Sequence, residues 1–259
     1  MSPSPASGPS PDPALDPLRD EVLEHLWVRF PDHCVVLTDP RCRTAIDFGI
    51  ARARHYGFVH AAEIRPFVTL MLMLGSHFDQ DPQHPWAGHQ LRQSARSPRR
   101  QAIVELLGAA SQALEPVVGA QGEYYRRALG WVGARSFDAL AGTYAGDDEA
   151  LTLLARHLYR RKHDALGPSG VAQAVRWAHT TAQHYGLTTP AGPMMMLALT
   201  LLLGSAIDRD PFHPWVRQVL TDATERDPEA RARRLHARAQ ELLARHTRLA
   251  ALSQGTTRN

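Results

Sequence analysis

Residues 74–86 read LGSHFDQDPQHPW and residues 203–215 read LGSAIDRDPFHPW. The two stretches lie 129 residues apart, and the same offset carries His55-Tyr56-Gly57 onto His184-Tyr185-Gly186. Between His55–Leu91 and His184–Leu220 no gap is needed, and 16 of 37 aligned positions are identical. Chance similarity does not produce such a run, so the chain reads as a tandem duplication. Further out the match weakens. His25-Leu26-Trp27 resembles His157-Leu158-Tyr159 with a three-residue slip, and the helix after Pro98 corresponds to the one after Pro228.

Each copy has helical periodicity. Val22, Leu23, Leu26, Trp27 and Phe30 form one face of a first helix, opened by Asp16-Pro17 and stopped by Pro31. A second helix is expected from about Arg43 to Tyr56, with Gly57 at its C-terminal end. The third, about 62–74, is apolar almost all round, the pattern of a central bundle helix. A short helix begins at Pro85-Trp86, and another helix covers about Pro98 to Leu114. No window alternates β-branched residues, so no strand is expected. The predicted fold is all-α, two homologous helical bundles of about five helices each. The expected layout is a disordered Pro/Ser-rich leader (1–15), repeat one (16–118), a linker with short helices (119–146), repeat two (147–252) and a flexible tail (253–259).

The chain of 259 residues is 44% hydrophobic and 21% charged, an ordinary globular composition. Net charge is only +3, and the basic residues are arginines apart from Lys162. Two cysteines, Cys34 and Cys42, match neither a disulfide framework nor a zinc knuckle. The leader lacks a basic n-region and an apolar h-region, and the longest apolar run (194–203) is too short for a bilayer. A cytoplasmic protein without membrane insertion is expected.

The duplicated loop comprises Gly75, Asp79, Asp81, Pro82, His84, Pro85 and Trp86, matched by Gly204, Asp208, Asp210, Pro211, His213, Pro214 and Trp215. Its Asp and His residues are ligand types for a hard or borderline cation, but the calcium-loop pattern fails: His84 and Gln90 stand where Gly and Glu are required. The structural reading accounts for every residue. Gly ends a helix, Asp accepts from backbone N–H groups, and His-Pro-Trp starts the next helix. No metal and no cofactor are therefore expected. No nucleophile elbow, zinc-protease motif, phosphate loop or dinucleotide fingerprint is present, so no catalytic residue is assigned.

Two features suggest binding. The last helix carries Arg231, Arg234, Arg238 and Arg245, candidates for meeting an acidic partner. With Arg233 and Arg248 the arginines spread round the helix without interleaved aromatics, which argues against nucleic acid. Met71, Met73 and Met194–Met196 place adaptable thioethers in both core helices, as core filling or as a groove.

The segment I-A-R-A-R-H-Y-G (50–57) followed by L-M-L-M-L-G-S-H-F-D-Q-D-P-Q-H-P-W-A (70–87) resembles small helical proteins encoded in type VI secretion gene clusters, beside the spike protein, the PAAR tip protein and the effector-adaptor family. The resemblance covers about residues 20–95 and again 155–220. Its sharpest part is Y-G followed by G-x-x-x-D-x-D-P-x-x-P-W. This chain departs from the family in its two copies, proline-rich leader and arginine-rich end. The resemblance implies a non-enzymatic adaptor or chaperone that binds a secretion effector or spike component. The alternatives are an immunity protein against a cognate toxin, and an enzyme or metal-binding protein using the Asp/His loops.

Overall fold

The computed structural model describes residues 15–256, with side chains described for residues 15–245. The expected leader, apart from Leu15, and residues 257–259 of the expected tail lie outside this range. Among the described residues all regular structure is helical. The α-helices are α1 (Asp16–Arg29), α2 (Pro31–Leu37), α3 (Asp39–His55), α4 (Ala61–Leu74), α5 (Pro85–Gln93), α6 (Arg99–Val118), α7 (Glu123–Gly133), α8 (Phe137–Tyr144), α9 (Asp148–Leu158), α10 (Arg160–His184), α11 (Ala191–Leu203), α12 (Pro214–Leu220) and α13 (Pro228–Thr256).

α2 was not expected. Pro31 does end α1, but as the first residue of a new helix, where its missing N–H has no partner to lose. The chain turns at Phe30 (φ −137°, ψ 53°) and again at Thr38 (φ 73°, ψ 152°), so Asp39-Pro40 opens α3. The same two breaks recur 129 residues on. Tyr159 has φ −145° and ψ 70°, and Gly167 has φ 63° and ψ 177°, bending α10 between 160–166 and 168–184. These matched breaks run at the 129-residue offset without a gap. The three-residue slip drawn from His25-Leu26-Trp27 is therefore a coincidence of letters. Val22 and Leu26 are buried where Leu151 and Ala155 are.

Two apolar cores form, one under α1–α6 and one under α7–α13. At their centres lie α4 and α11. Phe67, Val68 and Met71 on α4 and Met196, Leu197 and Leu201 on α11 are essentially inaccessible. α4 is capped by Glu63, whose Oε2 accepts from the Val59 and His60 N–H groups at 3.0 and 3.3 Å. Each half holds more helices than the five expected, because α2 and its counterpart at 160–166 are separate turns. Residues 119–146 are not a spacer. Ala128, Val132, Phe137, Leu140 and Tyr144 from α7 and α8 belong to the second core. At the other end α13 continues through 253 to Thr256, past the expected start of the tail.

Candidate functional site

The duplicated loops meet each other. Gly75 (φ 98°) and Gly204 (φ 107°) lie back to back, in backbone conformations that only glycine adopts readily. A Cβ on Gly75 would stand 2.8 Å from the Leu203 carbonyl oxygen, and one on Gly204 would stand 2.8 Å from that of Leu74. Over this crossing the aspartates exchange partners. The Ser205 N–H and hydroxyl donate to Asp81 at 2.8 and 2.6 Å, and the Ser76 N–H donates to Asp210 at 2.9 Å. Each carboxylate also accepts from its own loop, Asp81 from the Gln83 N–H and Asp210 from the Phe212 N–H, both at 2.8 Å.

The residue before His-Pro-Trp crosses over as well. The Gln83 amide donates to the Thr200 carbonyl at 3.0 Å and to the Ser205 hydroxyl at 2.9 Å, while Phe212 inserts into the first core. The helical turn that follows the first break in each half then covers the other half's loop. Lys162 donates to the Leu201 carbonyl at 2.7 Å beside Asp81, and the His33 ring stands 5.6 Å from that of His213.

Burial without full compensation perturbs this seam. It lowers the Lys162 ammonium to about 8, opposed by Asp81. It raises the Asp210 carboxyl to about 6, opposed by the Ser76 and Phe212 N–H groups. Burial, then the Lys162 charge, takes His84 down to about 4.

Asp79 and Asp208 serve their own halves. The Tyr56 hydroxyl donates to Asp79 at 2.6 Å, and Tyr185 donates to Asp208 at 3.0 Å. Arg52 adds an ion pair to Asp79, whereas the position 129 residues on from Arg52 is Thr181, which carries no charge. Pro82, Pro85, Pro211 and Pro214 fix the turns, Pro85 and Pro214 opening α5 and α12. Trp215 is buried in the second core; Trp86 packs half-buried against the first. The four aspartates, the two glycines and the prolines of the loops thus have contacts or turns within the folded chain. Among the described residues no three His, Cys, Asp or Glu side chains converge as a metal-binding group.

The four candidate arginines of α13 are not a free cationic face, since three of the four are engaged within the chain. Arg231 donates to the Tyr185 carbonyl at 2.7 Å and the Glu225 carbonyl at 2.6 Å, closing the end of α10 as Arg99 closes α3 through Tyr56. Arg234 pairs with Asp222 at 2.8 Å and Arg238 pairs with Glu241. Arg245 is exposed. Nor is α13 a detachable arm. Ala232 and Leu235 are wholly buried in the second core, and the helix packs on α2 of the first half. Removing residues 227–259 would therefore open the second core and uncover α2 of the first half.

What the sequence did not reveal is a groove of about 550 Å³ where the halves meet. Its walls come from the C-terminal end of α4 (Leu72, Met73), from α11 (Met195, Leu199) and from α13 (Leu242, Leu243). Met73 is 52% exposed there, although it belongs to a core helix. Arg29, Arg41 and Arg238 line the groove, with Asp32 the one carboxylate among its described residues. The methionine pattern was the only hint available, and it gave no location. Among the described residues no single helix is long and apolar enough to cross a membrane. No known protein family matches the chain, and neither a curated protein nor a solved structure is significantly similar to it.

Proposed function

We propose that the chain is a tandem pair of one helical-bundle unit, clasped through its D-x-D-P loops, and that the groove between the units receives an amphipathic helix of a partner protein. The groove carries this reading. It is mainly apolar, of a size suited to specific binding, and walled by residues from both halves, so a single copy could not form it. Methionine side chains let such a wall adapt to its occupant, and the surplus of arginine over carboxylate favours acidic residues flanking the occupant's apolar face. Asp81 and Asp210, being held by backbone donors, support a binding role over turnover. The resemblance to proteins of type VI secretion clusters supports an adaptor or chaperone for an effector or spike component.

The test places a photo-reactive side chain at position 73 in the native host and identifies the cross-linked polypeptide. A secreted effector or spike component, lost when Leu243→Asp charges the opposite wall without lowering the melting temperature, supports the proposal. A toxin's catalytic domain would point to immunity instead. No cross-link, or one unaffected by Leu243→Asp, refutes docking in the groove.

A further inference from the structure

α7 separates two concavities. Its stripe Tyr125, Leu129 and Val132 faces the groove, while Tyr124, Arg127, Ala128 and Trp131 line a second pocket of about 410 Å³ against the end of α9 and the start of α10. The floor of this second pocket is aromatic and apolar, from Tyr124, Trp131, Leu158 and Tyr159. Its rim is cationic: Arg127, Arg160 and Arg161, with His157 beside them. The single carboxylate among the described lining residues, Asp164, stands 3.8 Å from Arg160 and is shared with His163 at 3.0 Å. Arg161 is already oriented. Its guanidinium lies 4.7 Å above the Tyr124 ring and donates to the Tyr124 hydroxyl at 3.5 Å. His157 meets the Tyr144 hydroxyl through Nδ1 at 2.8 Å, leaving Nε2 for another partner.

The first half is an internal control for what folding requires. At the offset of 129, Arg160, Arg161, His157 and Asp164 correspond to Pro31, Asp32, Val28 and Val35. The Tyr159 ring is matched by Phe30, so the aromatic break is common to both halves and the cationic cluster is not. Helix geometry at this corner therefore does not need the arginines. Arg127, Arg160 and Arg161 leave the rim with positive charge in excess of Asp164, which an anion would meet with charge-assisted hydrogen bonds.

We infer that this pocket binds a small aromatic phosphate monoester, its ring on the Tyr124–Trp131 floor and its phosphate among Arg127, Arg160 and Arg161. Full-length protein is titrated calorimetrically with adenosine 5′-monophosphate, adenosine and inorganic phosphate, while the Trp131 contribution to fluorescence is isolated with Trp131→Phe. The expected result is saturable binding of the monophosphate below ~1 mM, with phosphate and adenosine each at least ~10-fold weaker. Arg127→Gln with Arg161→Gln should weaken the monophosphate at least ~10-fold while leaving the melting temperature unchanged, both residues lying at the surface. Arg161→Lys, which keeps the charge but loses the planar stack, should also weaken it. No saturable binding up to ~10 mM, adenosine binding as well as its monophosphate, or unchanged affinity in the double variant would each overturn the assignment.

Discussion

Substituting Gly204 by alanine tests whether the two loops hold the halves together. The φ of 107° there is open to glycine and strained for an L side chain, at about 1–3 kcal/mol. The new Cβ would also lie 2.8 Å from the Leu74 carbonyl oxygen and 3.2 Å from Gly75 Cα. Both are backbone atoms, so no rotamer change relieves the contact and the crossing must part. Parting it lengthens the bonds from Ser205 to Asp81 and from Ser76 to Asp210, each worth about 1.5–3 kcal/mol because the acceptor is a carboxylate. Even partial loss brings the total to about 4–6 kcal/mol, comparable with the stability of many domains. Gly186→Ala is the control. Its φ of 66° is also positive, but a Cβ there meets nothing within 4 Å, so about 1–2 kcal/mol is expected. Urea denaturation followed by circular dichroism measures both. With a slope of ~2 kcal/mol per molar, Gly204→Ala should lower the midpoint by ~2 M or more and Gly186→Ala by less than ~1 M. The double variant Gly75→Ala, Gly204→Ala should lose less than the sum of the singles, because one opened crossing accommodates both side chains. If Gly204→Ala and Gly186→Ala cost the same within ~0.5 kcal/mol, the crossing is not structural and the argument fails.

The remaining expectations concern acid, arginine and salt. His84, held near 4 by burial, stabilises the fold above its ordinary value of 6.5, and that contribution is lost as pH falls from 6.5 towards 4. Asp210 acts oppositely: its raised value gives stability that is present below about 4 and is lost as pH rises through about 6. His84→Asn should therefore gain stability relative to wild type between pH 6.5 and 4.5, read as urea midpoints at the two pH values; a parallel loss would contradict the His84 assignment. Arg231→Ala should cost about 1–3 kcal/mol by freeing the Tyr185 and Glu225 carbonyls, whereas Arg245→Ala should stay within ~0.5 kcal/mol in thermal melts. Partner binding through the groove should weaken as salt rises from ~0.05 to ~0.5 M, where screening shortens from roughly 14 to 4 Å, and Arg41→Ala should reduce that dependence in a titration.

The sequence by itself determined the helical class and the internal correspondence of its segments, because both are local properties. Period, punctuation and identity at a fixed offset are readable one window at a time. It also marked the D-x-D-P-x-H-P-W loop as a turn-former whose aspartates accept backbone N–H groups, which Asp81 and Asp210 do, whereas Asp79 and Asp208 accept from tyrosine side chains instead. Some local breaks escaped: Pro31 looks like a helix end and is also a start, and Thr38 takes a left-handed φ that nothing in its letter announces. Where the acceptors are spent was not legible at all. Asp81 and Ser205 are 124 residues apart and Asp210 and Ser76 are 134, so only packing could say that each loop satisfies the opposite half. The same holds for the groove and the arginine pocket. Their walls come from helices distant in the chain, and whether a leucine or an arginine faces a core, a neighbour or an open concavity depends on how those helices meet.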